Sequence, residues 1–539
     1  MSNPDTDSLR SFYERRHPAY HELLGHWLFL ESAYRGGRAF LMSNIFRYFK
    51  EGDTEYTQRV DRAYRFNHTR EVVELVQKYL FKAEISRAIA NAPEVVADFW
   101  KNTTLTGLDI DAYMRTVSVA NSIGGRCAVV VDNNFVEAAV VVNEDGEVEA
   151  SRPVSIAEAK AAKFRIYAYT VPAKDVLDYA HDEDGDGGLL WIKLRERIRD
   201  DADPLTSSGD IIERVRLWTR TDWKLFEERD TGETVWNRER NAQVPVKRVE
   251  IIDQRDHNLG VVPVILADHT IGEDNYRTPG LIDDIAYLDR AATNYLSNLD
   301  AIIQDQTFSQ LAIPAQAIQQ GDDMYSKVLE LGTKRVFVYD GGAGSTAKPE
   351  YLSPDPKQAG VILTVINKII NEIYHTIGLA GERTKEDNAV GIDNSSGVAK
   401  AYDFERVNSL LLSKAQSCEN VENRMVKLVL LWAKETHDGD NLVSYPSTFD
   451  VNRLVDDLVT AEALSTLNAP IKVRREQMKR LVDKMFPDLK TDLKKALMDA
   501  TDEWLEGMDD PALLTPPSKF GGKPVASPNR QGEVTSKTA

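Results

Sequence analysis

Cysteine is almost missing from this chain: Cys127 and Cys418 are its only two, each inside an apolar stretch. They can form one disulfide at most, and two buried free thiols in a reducing compartment are the expected state. No Cys-x-x-Cys pair occurs and nothing resembles a zinc site, so no metal is expected. No apolar run approaches the ~20 residues that span a bilayer. The N-terminal MSNPDTDSLRSFYERRHPAY lacks the apolar segment of a secretory signal. A chain made in the cytoplasm, with no membrane partner, is the expectation.

Basic surplus is missing too. The net charge is −19, whereas tight duplex binding draws on lysine and arginine displacing counterions at phosphates. An acidic chain can still handle DNA if its task is to let DNA pass without retention. Catalytic signatures are also missing: neither Gly-x-Ser-x-Gly nor His-Glu-x-x-His occurs, and the nine histidines are scattered. No enzyme activity and no cofactor are expected.

Two segments imitate ligand motifs and fail on detail. DEDGDG places Asp182, Asp184, Asp186 and Gly187 at positions 1, 3, 5 and 6 of a calcium loop. Position 12, which needs a bidentate glutamate, is Lys193, and the segment leads into a strand. An acidic turn between strands is the better reading. Gly342-Ala-Gly344-Ser-Thr-Ala347 follows a strand as a dinucleotide fingerprint does, but Pro349 comes at once where a helix must open. It reads as a flexible turn.

What is present is the composition of a folded protein, 42% hydrophobic and 28% charged, with a clear order of textures. The first hundred residues are helical; Glu55 to Phe81 has helical apolar spacing with a break at Asn67. Asp111 to Ile123 is a short helix stopped by Gly124-Gly125. From Cys127 to about Leu266 the texture is strands: CAVVVD, EAAVVVNEDGEVEA, KFRIYAYT, LLWIKLRE, ERVRLWTRTDWKLFEE and KRVEIID. A helix begins at Thr278-Pro279 and runs to about 305, with Leu288, Ala292, Leu296, Leu299 and Ile303 on one face. Asp283, Arg290, Asn294, Asn298 and Asp305 occupy the other, a polar face left open to solvent. Strand-like SQLAIP, KVLEL and RVFVYD follow, then a second one-faced helix from Pro356. After Leu379 to Ser396, LAGERTKEDNAVGIDNSS, a long helix runs from Gly397 to about Glu435. Shorter helices fill Asp450 to Leu467, Arg474 to Met485 and Thr491 to Glu506, and a Pro-, Gly-, Ser- and Lys-rich tail closes the chain.

In this order the pieces resemble a tailed-bacteriophage portal protein, the head-to-tail connector ring at one capsid vertex. YRGGRAF (Tyr34 to Phe40) and Arg59, Arg62, Ala63, Tyr64 and Asn67 resemble the opening helices of such subunits. LGVVPVI (Leu259 to Ile265) resembles the link into the stem, and SGVAKAYDFERVNSLLLSKA (Ser396 to Ala415) the helix after the tunnel loop. The resemblance covers about 20 to 505. It implies an α+β, mainly helical, elongated subunit: an N-terminal region and α/β wing over 1–270 (β-rich about 127–266), a first stem helix at 271–306 and a small α/β clip at 307–355. A second stem helix at 356–378, a tunnel loop at 379–396, a long wing helix at 397–437, a helical crown at 438–506 and a flexible tail at 507–539 complete it.

The function so implied is conduction of double-stranded DNA during packaging and ejection, without catalysis. The implied partners are other copies in a dodecameric ring, the terminase large subunit, a head-completion or adaptor protein, and the major capsid and scaffolding proteins. The implied location is the virion, after assembly in the host cytoplasm. An alternative is another head-associated virion protein that does not encircle DNA.

The resemblance puts the eighteen-residue loop in the channel, where Arg383 and Lys385 are its only cations and Asn388 a further candidate contact. Glu382, Glu386, Asp387 and Asp393 outnumber them, so any grip on phosphate is light. Asp322, Asp323, Lys334 and Arg335 are the clip candidates for motor or adaptor contact, with neutral surface turns as an equal reading.

Overall fold

The computed structural model describes residues 6–49, 51–82, 85–134, 138–142, 148–153, 165–185, 187–237, 242–271, 276–307, 310–314, 336–339, 348, 350–352, 357–378, 397–437, 442–447, 449, 461, 463–464, 467, 470–485 and 496–501. The fold is α+β and mainly helical, and the chain divides into two units, Met1–Phe449 and Asp450–Ala539.

In the first unit, helices α1 (Thr6–Glu14), α2 (Tyr20–Arg35), α3 (Gly37–Asn44), α4 (Asp53–Arg62) and α5 (His68–Leu80) come first. The break expected at Asn67 is there: its side chain accepts the Arg70 N–H at 3.0 Å and caps α5. After the two-residue strand β1 (Ser86–Arg87) come α6 (Glu94–Lys101) and α7 (Ile110–Gly124), the latter capped by Asp109 on the Ala112 N–H. Gly125 ends α7 with φ +76, and a Cβ there would lie 1.9 Å from the Thr278 carbonyl oxygen, so only glycine fits.

Strand β2 (Arg126–Asn133) is buried along its whole length. A hairpin, β3 (Ala138–Val142) and β4 (Val148–Pro153), follows, then β5 (Ile166–Pro172). Strands β6 (Val176–His181), β7 (Leu189–Arg199), β8 (Ile211–Thr219), β9 (Asp222–Asn237) and β10 (Ala242–Asp256) form an antiparallel meander, and β11 (Val264–Asp268) returns to pair with β2. The period of two explains the layering. Cys127, Val129 and Val131 face the helices, while Ala128 and Val130 face the meander beside Ile192, Leu194 and Trp218. The meander's other face, with Val215, Phe226 and Val249, is covered by Tyr20, Leu23 and Trp27 of α2.

Three sequence readings change here. ERVRLWTRTDWKLFEE is not one strand but the hairpin β8–β9, with Trp218 opposite Trp223. Its turn has no Gly or Pro; the Thr219 hydroxyl accepts the Asp222 N–H at 3.0 Å instead. Strand β6, which no sequence signal marked, forms the meander's edge. The helix expected from Pro279 begins at Ile285, because residues 278–280 pack against Gly125 without helical structure and Leu281 donates its N–H to the Ser122 carbonyl.

That helix, α8 (Ile285–Thr307), leads to the small sheet of β12 (Gln310–Pro314), β13 (Val336–Tyr339) and β14 (Glu350–Leu352), in which β12 is central, parallel to β13 and antiparallel to β14. The chain returns as α9 (Lys357–Thr376) and enters the 37-residue α10 (Gly397–Ala433), roughly 55 Å long at 1.5 Å per residue. Helix α10 lies across the first sheet and α5 to α7, burying Val407, Leu411, Cys418, Met425 and Val429. Strand β15 (Val443–Ser444) pairs with β1. Both cysteines are free and buried. In the second unit α11 (Ile471–Met485) buries Leu481, and residues 496–501 are also helical.

Candidate assembly site: a helical hairpin and its shoulder

Arg383, Lys385 and Asn388, and Asp322, Asp323, Lys334 and Arg335, lie outside the described residues, as does the tail. Their mounting is described. Gly378, at φ +77, presses on α10, where an added Cβ would meet the Arg406 Cβ at 3.0 Å and the Val407 nitrogen at 3.3 Å. The end of α9 is therefore fixed at Gly378. In the small sheet, Val336 pairs with Leu311 directly after Arg335.

Helices α8 and α9 form an antiparallel hairpin. At its base Ile285 and Ala286 meet the same core as Ile373, Tyr374 and Ile377. Further out, Leu296 and Leu299 pack on Ile362, Ile366 and Ile370 in a separate seam. Beyond that seam apolar side chains stand in solvent: Val361 is 63% and Leu363 47% exposed on α9, and Ile303 is 49% exposed on α8.

The polar face of α8 corrects an expectation. It is not left for channel or solvent; the N-terminal helices claim it. The carboxylate of Asp289 accepts from Arg65, from the Thr69 N–H at 2.9 Å and from the Thr69 hydroxyl at 2.6 Å. Asn294 accepts the Phe46 N–H and donates to the Asn44 carbonyl, both at 2.9 Å, and Asn298 accepts from the Tyr48 hydroxyl. Arg290 lies over the rings of Phe29 and Phe46 at 4.5 and 5.3 Å. Asp283 pairs with Arg277 at 3.6 Å and stands 3.4 Å from His26, and the side chain of Asp305 lies outside the described residues.

At the centre of this shoulder Arg59 (3% exposed) grips Glu51 (7%) through two bonds of 2.7 Å. It also donates to the Ser297 hydroxyl at 2.9 Å and the Phe46 carbonyl at 2.7 Å. The hydrogen bonds from Arg59 hold the Glu51 carboxyl below its usual range. Arg59 stood in the sequence among the residues of the opening helices; that it and Arg65 face α8 was not visible there.

Two buried lysines were missed as well. Lys193, the failed calcium position, points inward and donates to the carbonyls of Phe12, Tyr13 and Arg15, gathering the end of α1. Burial lowers its pKa to about 7. Asp182, at the start of that turn, meets Arg220 at 3.1 Å. Lys414 of α10 is wholly buried, with its Nζ 3.1 Å from the Ser118 carbonyl, 2.9 Å from Asn121 Oδ1, 2.7 Å from the Ser122 hydroxyl and 2.8 Å from His269 Nδ1. Burial lowers Lys414 to about 8, and burial with the nearby ammonium drives His269 well below its usual value. The neutral imidazole thus accepts at Nδ1. Burial raises Cys127 to about 12 and Cys418 to about 11, so both stay thiols.

His17 and His21 have the four-residue spacing of a metal-binding helix face, but His17 lies ahead of α2, stacked on Tyr276 at 3.8 Å. Among the described residues no three His, Cys, Asp or Glu side chains are grouped to hold a metal.

No protein-family model matches the chain, and no curated protein does. One solved structure similar to it is the neck of an empty GTA particle computed with C6 symmetry, at 12% identity and a TM-score of 0.32, covering 81% of this chain and 95% of that one. A likeness of that degree carries neither fold nor role to this protein.

Proposed function

We propose that this chain is a portal-type connector subunit: about twelve copies form a ring at one capsid vertex, and double-stranded DNA passes through it during packaging and ejection. The observation that carries the reading is the α8–α9 hairpin. It carries a small sheet at its far end, is followed by a helix spanning the wing, and leaves Val361, Leu363 and Ile303 about half exposed or more. Exposed apolar side chains on a helical hairpin suit burial between identical neighbours.

In this role the protein performs no chemistry of its own. The clip would meet the terminase motor and the adaptor, and the wing and crown would meet capsid and scaffolding proteins. The acidic chain keeps passing phosphate from adhering, with Arg383 and Lys385 as light contacts. Native mass spectrometry of the purified chain tests the reading: a closed oligomer of about twelve 60.6 kDa subunits is expected. A monomer at all concentrations would overturn it.

A further inference from the structure

A ring joins unlike surfaces of identical copies, so each copy must carry two different patches that fit each other. One patch stands at the end of the β7–β8 hairpin. Leu205 is 92% exposed there, and Ile211, where β8 starts, is 67% exposed. The loop carrying Leu205 is nevertheless firmly held. The Asp203 carboxylate accepts the Leu205 N–H at 2.9 Å and the Thr206 hydroxyl at 2.8 Å, and the Asp200 carboxylate accepts the Ser208 N–H at 2.9 Å. The Ser207 N–H donates to the Asp203 carbonyl at 3.0 Å, and the Gly209 N–H to the Asp200 carbonyl at 2.8 Å. A bare leucine on a preformed loop loses little freedom when it is buried. Asp200, Asp201, Asp203 and Asp210 flank it. The arginines leading into the loop are engaged elsewhere: Arg197 pairs with Asp175 and Glu213, and Arg199 donates to the Gly209 carbonyl. Among the described residues none of the four carboxylates is in an ion pair.

The second patch lies at the other end of the same hairpin. It is a groove of about 620 Å³ between the start of β7, the chain leading into β11, and α10. Leu189, Val262, Leu266, Leu428 and Leu431 give it apolar walls. Of its cations, Arg126 pairs with Asp268 and Arg220 with Asp182, so those charges cancel. The surplus is on the rim, where Arg424 and Lys427 stand exposed one turn apart on α10. Among the described residues Arg424 has no ion-pair partner, and Leu431, a turn further on, is 42% exposed.

The two patches cannot meet within one copy. The 11 residues of β7 separate them by roughly 35 Å at 3.4 Å per residue, and β8 pairs with β7 from Thr219 to Ile211. They match in character: an apolar knob flanked by unpaired carboxylates, and an apolar groove edged by surplus cations. We propose that the Leu205 loop of one copy seats in the Leu266–Leu431 groove of the next, a head-to-tail contact whose direction runs along β7 and β8. The inference rests on the ring reading above and names the surfaces that build it.

The test uses the full chain with Leu205→Cys and Leu431→Cys; the native thiols are buried. Under mild oxidation, chains carrying one substitution each should cross-link when mixed, and neither should cross-link alone. Leu205→Ser should weaken assembly at least about tenfold with the subunit's melting temperature unchanged. Asp201→Arg and Arg424→Asp should each weaken assembly, and the chain carrying both should recover most of the loss. Rings that form without the 205–431 bond overturn this contact and leave the ring reading standing. So do rings that form equally well with Leu205→Ser, and charge swaps that do not compensate. Cross-linking by Leu205→Cys alone shows a like-to-like contact and also overturns it. A chain that never assembles overturns both.

Discussion

Arg65 and Asp289, 224 residues apart, are joined by a hydrogen-bonded ion pair with side chains 5% and 1% exposed. The pair locks the N-terminal helices to the base of the hairpin. Removing one partner leaves a buried charge uncompensated, at a cost of about 3–5 kcal/mol. Asp289→Ala is therefore expected to lower the urea midpoint of the isolated subunit by that amount of stability, whereas an exposed pair such as Arg10–Glu14 should give less than about 1 kcal/mol. Equal effects at the two sites would contradict this.

Lys414 makes stability depend on alkaline pH. Below about pH 8 both the folded and unfolded chains carry its proton; between about 8 and the ordinary 10.5 only the unfolded chain does. Unfolding then takes up a proton, so stability rises with pH across this window, by up to about 3 kcal/mol. The urea midpoint of the native chain should climb relative to that of Lys414→Met from pH 8 to 10.5. Parallel profiles would count against a depressed pKa.

Val361→Asp and Leu363→Asp replace exposed apolar side chains on α9. Each is expected to leave the subunit's melting temperature within a few degrees of the native value, since neither side chain is in the core, while shifting the ring-to-monomer balance at least tenfold toward monomer. Gel filtration over a dilution series reads the shift. Unchanged assembly in either variant would mean that the side of α9 carrying that residue does not meet a neighbour.

Shortening the loop over 381–394 is expected to leave rings intact and to impair DNA packaging. The same packaging loss without ring loss, in smaller degree, is expected of Arg383→Ala with Lys385→Ala. Folded subunits that no longer form rings would make the loop an element of assembly instead.

Periodic features were legible in the sequence. The one-faced pattern of α9, the break at Asn67 and the glycine stop after α7 all depend on neighbours a few residues away, and each was found where expected. Features resting on distant partners were not. Asn294 and Asn298 read as a solvent face because their partners, Asn44, Phe46 and Tyr48, lie about 250 residues upstream. Nothing local marked Lys193 and Lys414 as buried, since the backbone carbonyls and the neutral histidine that receive them are far away in the chain. The β8–β9 turn was hidden because threonine hydroxyl bonds do the work usually signalled by Gly or Pro.

Electron microscopy of the purified full-length chain tests the central claim most directly. Discrete rings of about twelve subunits around a central hole are the predicted result. Monomers, or irregular clusters with no hole, would contradict it.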